Sequence, residues 1–329
     1  MKILMTQLAP SVAVERVKSA LGPSDTLDIN PDADRIWSKQ ELIERLKSGG
    51  YDGLYCMLTN PIDAEVLDAA PDIKIIANMA VGYNNIDVKE ATRRGIPVSN
   101  TPGVLTDTTA DFAWTLIMAT ARRLVESDRF LRAGKFHGWG PLMMVGNDVY
   151  GKTLGIIGFG RIGRAVAKRA TGFDMTVLYH DKYTADADTE KALNARSVSM
   201  DELLHESDFV TIHTDYNPET HHLIGAEQFG RMKPTAHLVN TARGPIVDEK
   251  ALAAALKAGT IAGAGLDVYE GEPNVDPGLL EVENVVLAPH IASSSLDTRN
   301  SMALTAADNV LAALKGEHAP NCVNPEVYG

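Results

Sequence analysis

Lys152-Thr-Leu-Gly-Ile-Ile-Gly-Phe-Gly-Arg-Ile-Gly163 reads as a buried strand that runs straight into a glycine-rich turn, Gly158-x-Gly160-x-x-Gly163, and then a helix. The first glycine permits the tight turn, the second lets the backbone approach a pyrophosphate, and the third lets the helix pack closely on the strand. Phosphates then rest at the helix N-terminus, on free N–H groups such as those of Arg161 and Ile162. In a chain with 27 glycines this spacing is a weak signal alone. Its context strengthens it: a helix over 161–171 leads to a strand over 175–179 and then to Asp181. That lies close to the roughly 20-residue offset of the acidic residue that grips an adenosine ribose. The stretch predicts a nucleotide-cofactor fold.

Bulk composition narrows the class. A chain of 329 residues suits about two domains at roughly 100–200 residues each. A hydrophobic content of 45% with 22% charged residues is ordinary for a soluble globular protein. The net charge of −12 argues against a nucleic-acid partner, which favours a basic face. It also repels anions, so an anionic substrate has to be met by local positive charge. Cys56 and Cys322 make neither a disulfide framework nor a metal spacing. The run Met1-Lys-Ile-Leu-Met-Thr-Gln is too short for a signal peptide, and the mostly apolar stretch 112–121 is about half a membrane span. A cytoplasmic enzyme with no membrane partner is expected.

Residues 1–100 alternate strands (2–6, 26–29, 53–57, 73–78, 97–100) with helices (12–21, 38–47, after Asp63, 87–94), and Ser38-Lys-Gln-Glu41 is a capping-box pattern. Such alternation implies a parallel sheet covered by helices. A long amphipathic helix is expected over about 108–124, as a core helix or a crossover between domains, followed by a loop-like stretch over 133–151. A second series of strands follows at 154–157, 176–179, 209–213, 237–240, 262–266 and 285–288, with another capping box at Ser199-Met-Asp-Glu202. Six strands with helical crossovers match a doubly wound dinucleotide-binding sheet. The last helix, about 296–315, lies beyond that sheet and is placed to return to the first domain.

Ligands of open parallel sheets bind beyond the carboxyl ends of the strands. Beyond those ends stand Ala80-Val81-Gly82, Thr241-Ala242-Arg243-Gly244, Asp267 with Glu270 and Glu272, and Pro289-His290. An arginine fork holds a carboxylate, and a histidine beside a carboxylate gives up a proton near neutral pH. This set suits reduction of a carbonyl in an anionic substrate, with a nicotinamide supplying the hydride. Plainer roles stay open: a helix cap or ion pair for Arg243, a turn cap for Asp267, solvated loop charges for Glu270 and Glu272. His221-His222 has the look of a metal pair, but adjacent residues project differently and no third ligand is evident, so no metal is expected.

Over essentially its full length the chain resembles the D-isomer-specific 2-hydroxyacid dehydrogenases. The resemblance rests on Val81-Gly-Tyr-Asn-Asn-Ile-Asp87, the glycine fingerprint, Val239-Asn-Thr-Ala-Arg-Gly244, Gly263-Ala-Gly-Leu-Asp-Val-Tyr-Glu-Gly-Glu-Pro273 and Asn284-Val-Val-Leu-Ala-Pro-His-Ile291. Within the family it is most similar to the glyoxylate/hydroxypyruvate reductases, through Trp139-Gly-Pro141 and Gly146-Asn-Asp-Val-Tyr-Gly-Lys-Thr153. The resemblance implies that Arg243 binds the 2-oxo acid carboxylate, that His290 is the acid for reduction, and that Glu272 pairs with it. It implies that backbone N–H groups of Val81 and Gly82 hold the carboxylate from the other domain, and that Trp139 reaches the partner subunit's substrate pocket. It places Asp267 on the nicotinamide carboxamide and Thr109 in the cofactor cleft, with Thr241 and Ala242 lining the same side.

The expected architecture is therefore α/β: a Rossmann dinucleotide domain over 101–292, and a smaller flavodoxin-like substrate domain over 1–100 and 293–329, with a cleft between them. The expected reaction is reduction of glyoxylate or hydroxypyruvate by a homodimer. The alternatives are another 2-oxo acid, 2-ketogluconate or phosphite as substrate, or an NAD-sensing corepressor-like protein. Asp181 favours NADH, whereas Lys182 leaves some tolerance of the 2′-phosphate of NADPH. One departure from the family stands out: His213-Thr-Asp-Tyr216 replaces the common His-Val-Pro-Leu.

Overall fold

Gly-Leu-Tyr-Cys at 53–56 and Ile-Ile-Ala-Asn at 75–78 are buried at every position, as parallel strands covered on both faces must be. The computed structural model describes residues 1–32 and 35–329, which form two units: Met1–Leu105 with Ser294–Gly329, and Thr106–Ser293.

In the first unit the elements run β1 (Lys2–Met5), α1 (Ser11–Ala20), β2 (Thr26–Ile29), α2 (Lys39–Gly49), β3 (Gly53–Cys56), α3 (Ala64–Asp68), β4 (Ile75–Asn78), α4 (Val88–Arg93) and β5 (Val98–Ser99). The sheet is parallel, in the flavodoxin-like order β2-β1-β3-β4-β5. The capping box at α2 forms as expected: Ser38 accepts the Glu41 N–H, and the Glu41 carboxylate accepts the Ser38 N–H at 2.8 Å.

The second unit contains α5 (Thr106–Ala121), α6 (Leu124–Arg132), β6 (Thr153–Ile157), α7 (Arg161–Ala170), β7 (Thr176–His180), α8 (Ala187–Ala192), β8 (Ala195–Ser197) and α9 (Met200–Glu206). It continues with β9 (Phe209–Ile212), α10 (Ala226–Arg231), β10 (His237–Asn240), α11 (Glu249–Ala258), β11 (Gly263–Leu266), α12 (Pro277–Leu280) and β12 (Val285–Leu287). The sheet order is β12-β11-β10-β9-β6-β7-β8, all parallel. The chain then returns to the first unit as α13 (Leu296–Leu314), packed on α1, β3 and β4. Gly53 admits it: a Cβ there would stand 2.8 Å from Val310 Cγ2.

Three local expectations are corrected. The sheet has seven strands rather than six, because Ala195-Arg-Ser197 pairs with β7 as an edge strand of only three residues. The helix expected over 108–124 ends at Ala121, and Arg123, in the left-handed region at φ 51°, starts a separate helix α6. At Ser199 only half of the capping box forms. The Ser199 hydroxyl accepts the Glu202 N–H, while the Glu202 carboxylate pairs with Arg196 at 2.6 Å.

His237, the first residue of β10, is buried with an unpartnered Nδ1, and burial pushes its pKa down to about 4. A histidine whose folded pKa lies below its unfolded value contributes stability above the unfolded pKa, and that stability is lost as pH falls through the folded one. The second unit should therefore lose roughly 1–3 kcal/mol between about pH 6.5 and pH 4 from this group. Urea midpoints across this range should fall less for His237→Gln than for the wild type; parallel curves would refute the assignment.

Candidate active site

The glycine turn has the three properties a dinucleotide demands. Gly158 adopts φ +93°, and a Cβ there would stand 2.5 Å from the Thr214 nitrogen, so the turn lies hard against the end of β9. A Cβ on Gly163 would stand 2.1 Å from the Gly158 oxygen, which is why α7 packs so closely on β6. At Gly160 a Cβ would meet nothing within 4 Å, and the turn there is open above the first N–H groups of α7, at Arg161, Ile162 and Gly163. Asp181 follows β7 and is tied to this turn, its Oδ2 accepting the Phe159 N–H at 2.6 Å and its Oδ1 the Tyr183 N–H at 2.9 Å. A carboxylate has about four lone-pair sites, so it keeps acceptor capacity for ribose hydroxyls. Lys182 beside it is exposed. These residues fit a bound dinucleotide.

Beyond the ends of β10, β11 and β12 the second unit gathers Arg243, Glu272 and His290. Asn240 shapes the first turn: its amide donates to the Arg243 carbonyl at 2.9 Å and its Oδ1 accepts the Ala242 N–H at 3.0 Å. Gly244 brings that turn onto the next loop, since a Cβ there would stand 1.8 Å from the Tyr269 carbonyl carbon. Burial pushes the Arg243 guanidinium below its usual range, while the charges of Glu272 and Asp215 hold it up. It stays a cation at any physiological pH. Asp215 belongs to the departure after β9, and its charge is felt at the arginine.

Glu272 Oε2 lies 2.9 Å from His290 Nδ1, and its Oε1 accepts the Tyr269 N–H at 2.9 Å. Burial raises the Glu272 carboxyl, but the hydrogen bond and charge of His290, the Tyr269 N–H and Arg243 outweigh it and leave the group below its ordinary value. An ionised Glu272 only accepts, so the proton sits on His290 Nδ1 and Nε2 is the nitrogen left for chemistry.

Asp267 stands where sequence placed a cofactor contact, but its fully buried carboxylate has other work. Oδ1 accepts the Ile291 N–H and Oδ2 the Ala292 N–H, both at 2.7 Å, while its carbonyl accepts the His290 N–H at 2.9 Å. His290 itself sits at φ +55°, a conformation that costs a non-glycine residue about 1–2 kcal/mol. Asp267 thus clamps the strained turn that presents the imidazole. Thr241 is buried with an unpartnered hydroxyl, and Thr109 is buried on α5.

In the first unit, Val81 and Gly82 follow β4. Neither N–H has an acceptor among the described residues. Their carbonyls are held instead: Asn100 donates to the Val81 oxygen at 2.7 Å and Asn78 to the Gly82 oxygen at 3.0 Å. Sequence reading missed Asn78, Asn100 and Asn240. The available signal was a polar residue at the carboxyl end of an otherwise apolar strand. Trp139, by contrast, is 82% exposed in the single chain. Both grounds for dismissing His221-His222 fail as well: their rings stack 4.1 Å apart, and Glu270 lies beside them.

This fold and site define a nicotinamide-dependent oxidoreductase built on two α/β units. Residues 114–292 match the NAD-binding domain of the D-isomer specific 2-hydroxyacid dehydrogenases, and the chain belongs to that family. A glyoxylate reductase of Korarchaeum cryptofilum is 59% identical over 292 residues, covering 88% of this chain and 87% of its own. The crystal structure of a glyoxylate reductase from Paecilomyes thermophila superposes with a TM-score of 0.86 at 36% identity, over 99% of each chain. The NADPH-dependent glyoxylate/hydroxypyruvate reductase of Sinorhizobium meliloti, solved with NADP and malonate, gives 0.83 at 33% identity over 98% of this chain and 96% of its own.

Replacing Asp267 by Asn puts an NH2 donor against a backbone N–H. The expected cost is about 1–3 kcal/mol in urea unfolding, with a marked loss of turnover as His290 loosens. Wild-type values for both would show the clamp to be dispensable.

Proposed function

We propose that this chain is a glyoxylate/hydroxypyruvate reductase, forming glycolate and D-glycerate. The observation that carries the reading is the Glu272–His290 pair beside Arg243 in an NAD-binding unit, and chain-length relatives named for glyoxylate support the substrate. Arg243 receives the substrate carboxylate in a bidentate contact and polarises the neighbouring carbonyl. In the first unit, the unengaged N–H groups of Val81 and Gly82 are offered to an anion in their own right. Bound NADH supplies the hydride. The Nε2–H of protonated His290 delivers the proton to the carbonyl oxygen, and Glu272 stabilises the imidazolium before transfer. Thr109, Thr241, Ala242 and Asp267 line the nicotinamide side.

Cofactor preference falls to Asp181. Its carboxylate accepts hydrogen bonds from ribose hydroxyls and repels a 2′-phosphate, and Lys182 is a poorer phosphate clamp than an arginine fork. NADH is therefore preferred and NADPH tolerated. A cytoplasmic setting belongs to the same proposal, in keeping with two free thiols.

One set of initial-rate measurements tests the reaction. Arg243→Ala should lose about a hundredfold or more in kcat/KM for glyoxylate, on the order of 3 kcal/mol, with NADH affinity nearly intact. The wild type should favour NADH by roughly a hundredfold, and Asp181→Ser should collapse that ratio. No glyoxylate reduction by the wild type, or an unimpaired Arg243→Ala, refutes the reading; NADPH preference refutes only the cofactor assignment.

The functional unit proposed is a homodimer formed through the second unit. Helix α6 buries none of its residues, and Leu124, Leu131, Trp139, Leu142, Val145 and Tyr150 are all exposed over one stretch of chain. An apolar series of this kind marks an association surface. Light scattering should give twice the 35.4 kDa chain mass, and Leu131→Asp should shift it toward monomer. A monomeric wild type would refute the dimer.

A further inference from the structure

Two adjacent residues on ordinary extended backbone point to opposite sides. His221 and His222 do not. His222 adopts φ +49°, in the left-handed region, and the two imidazoles lie face to face with centroids 4.1 Å apart and planes 17° apart. Glu270, from the loop after β11, brings Oε1 to 3.0 Å from His222 Nε2. One donor atom from each of the three side chains lies within 4.8 Å of the other two. We propose that His221, His222 and Glu270 form a binding site for a divalent transition-metal ion of the zinc, cobalt, nickel and copper group.

The donor set selects that group. Two imidazoles and one carboxylate suit borderline cations, whereas calcium and magnesium take shells of oxygen. Zinc bonds to nitrogen and oxygen are about 2.0–2.2 Å long, which sets neighbouring donors roughly 3.3–3.5 Å apart in a tetrahedral shell. The three donors need to converge by about an ångström, within reach of half-exposed side chains turning about χ1 and χ2. Water would complete the shell.

The backbone carrying these donors is fixed independently of any ion. The His222 N–H donates to the Pro245 carbonyl at 2.8 Å, and the Glu270 N–H to Glu249 Oε1 at 2.5 Å. Because Gly244 has no side chain, the backbone at Tyr269 and Glu270 closes on the same turn. Ahead of the pair, Asn217 and Thr220 close a hydrogen-bonded turn. The Tyr216 hydroxyl lies 3.3 Å from His221 Nδ1 and leaves Nε2 as that ring's outward nitrogen. A partner on the second nitrogen is the usual arrangement around a metal-bound imidazole. None of the three donors is assigned to hydride transfer, so the site is separate from the chemistry.

The test is zinc binding to the tag-free full chain, measured in competition with a chromophoric chelator and so independent of catalysis. The wild type should bind one zinc ion per chain. His222→Ala and Glu270→Gln should each weaken binding at least tenfold, or 1.4 kcal/mol, with unchanged urea midpoints. His137→Ala, at an exposed histidine elsewhere, should leave it unaltered. Cobalt in place of zinc should show the visible absorption of a low-coordinate nitrogen–oxygen site. Wild-type binding no tighter than that of His222→Ala and Glu270→Gln would reduce the cluster to a surface ion pair and overturn the proposal, as would equal weakening by His137→Ala.

Discussion

The buried carboxylate of Asp267 is the constraint on which the reacting end of this protein depends. It has no solvent exposure, and burial pushes its pKa up, yet it spends both oxygens on the N–H groups of Ile291 and Ala292. Those bonds compensate a desolvated acid and fix the backbone where it takes a left-handed turn at His290. The imidazole therefore reaches Glu272 at 2.9 Å because the chain behind it has no freedom to relax. Strain at one residue is held by a carboxylate three strand-ends' worth of loops converge upon.

Missing side chains do as much as present ones. Gly158 and Gly163 let strand, turn and helix approach to distances at which no Cβ fits, and Gly244 does the same for the two loops carrying Arg243 and Glu272. In each case the glycine converts a sheet of ordinary spacing into a site of defined geometry. The arginine and the glutamate sense each other's charge through the contact that Gly244 permits.

Much of this was legible in the letters because glycine spacing, capping residues and polar groups after apolar strands each have one dominant physical use. The fingerprint, the Ser38 box and the set Arg243, Glu272 and His290 are of that kind. What stayed hidden lacked a local signal. Strand β8 is three residues, Ala-Arg-Ser, none of them buried, and it pairs with β7 alone at the edge of the sheet. The break between α5 and α6 falls at Arg123, a residue with no special tolerance of positive φ, so neither glycine nor proline announces it. The two histidines at 221 and 222 share a face only because of a backbone angle that adjacency argues against.

The asparagines show why such residues escape a reading by residue type. A buried amide in a strand is a liability unless both its ends are satisfied, and that requirement is what makes it useful. Asn78 and Asn100 satisfy their donors on the carbonyls of Gly82 and Val81, and by occupying those oxygens they leave the two N–H groups as the unengaged part of the loop. Asn240 does the equivalent for the turn before Arg243, with a donor and an acceptor used two residues apart. An apolar residue at any of these strand ends would pack as well, but the loop beyond it would lose the partner that decides which of its backbone groups is offered to an anion.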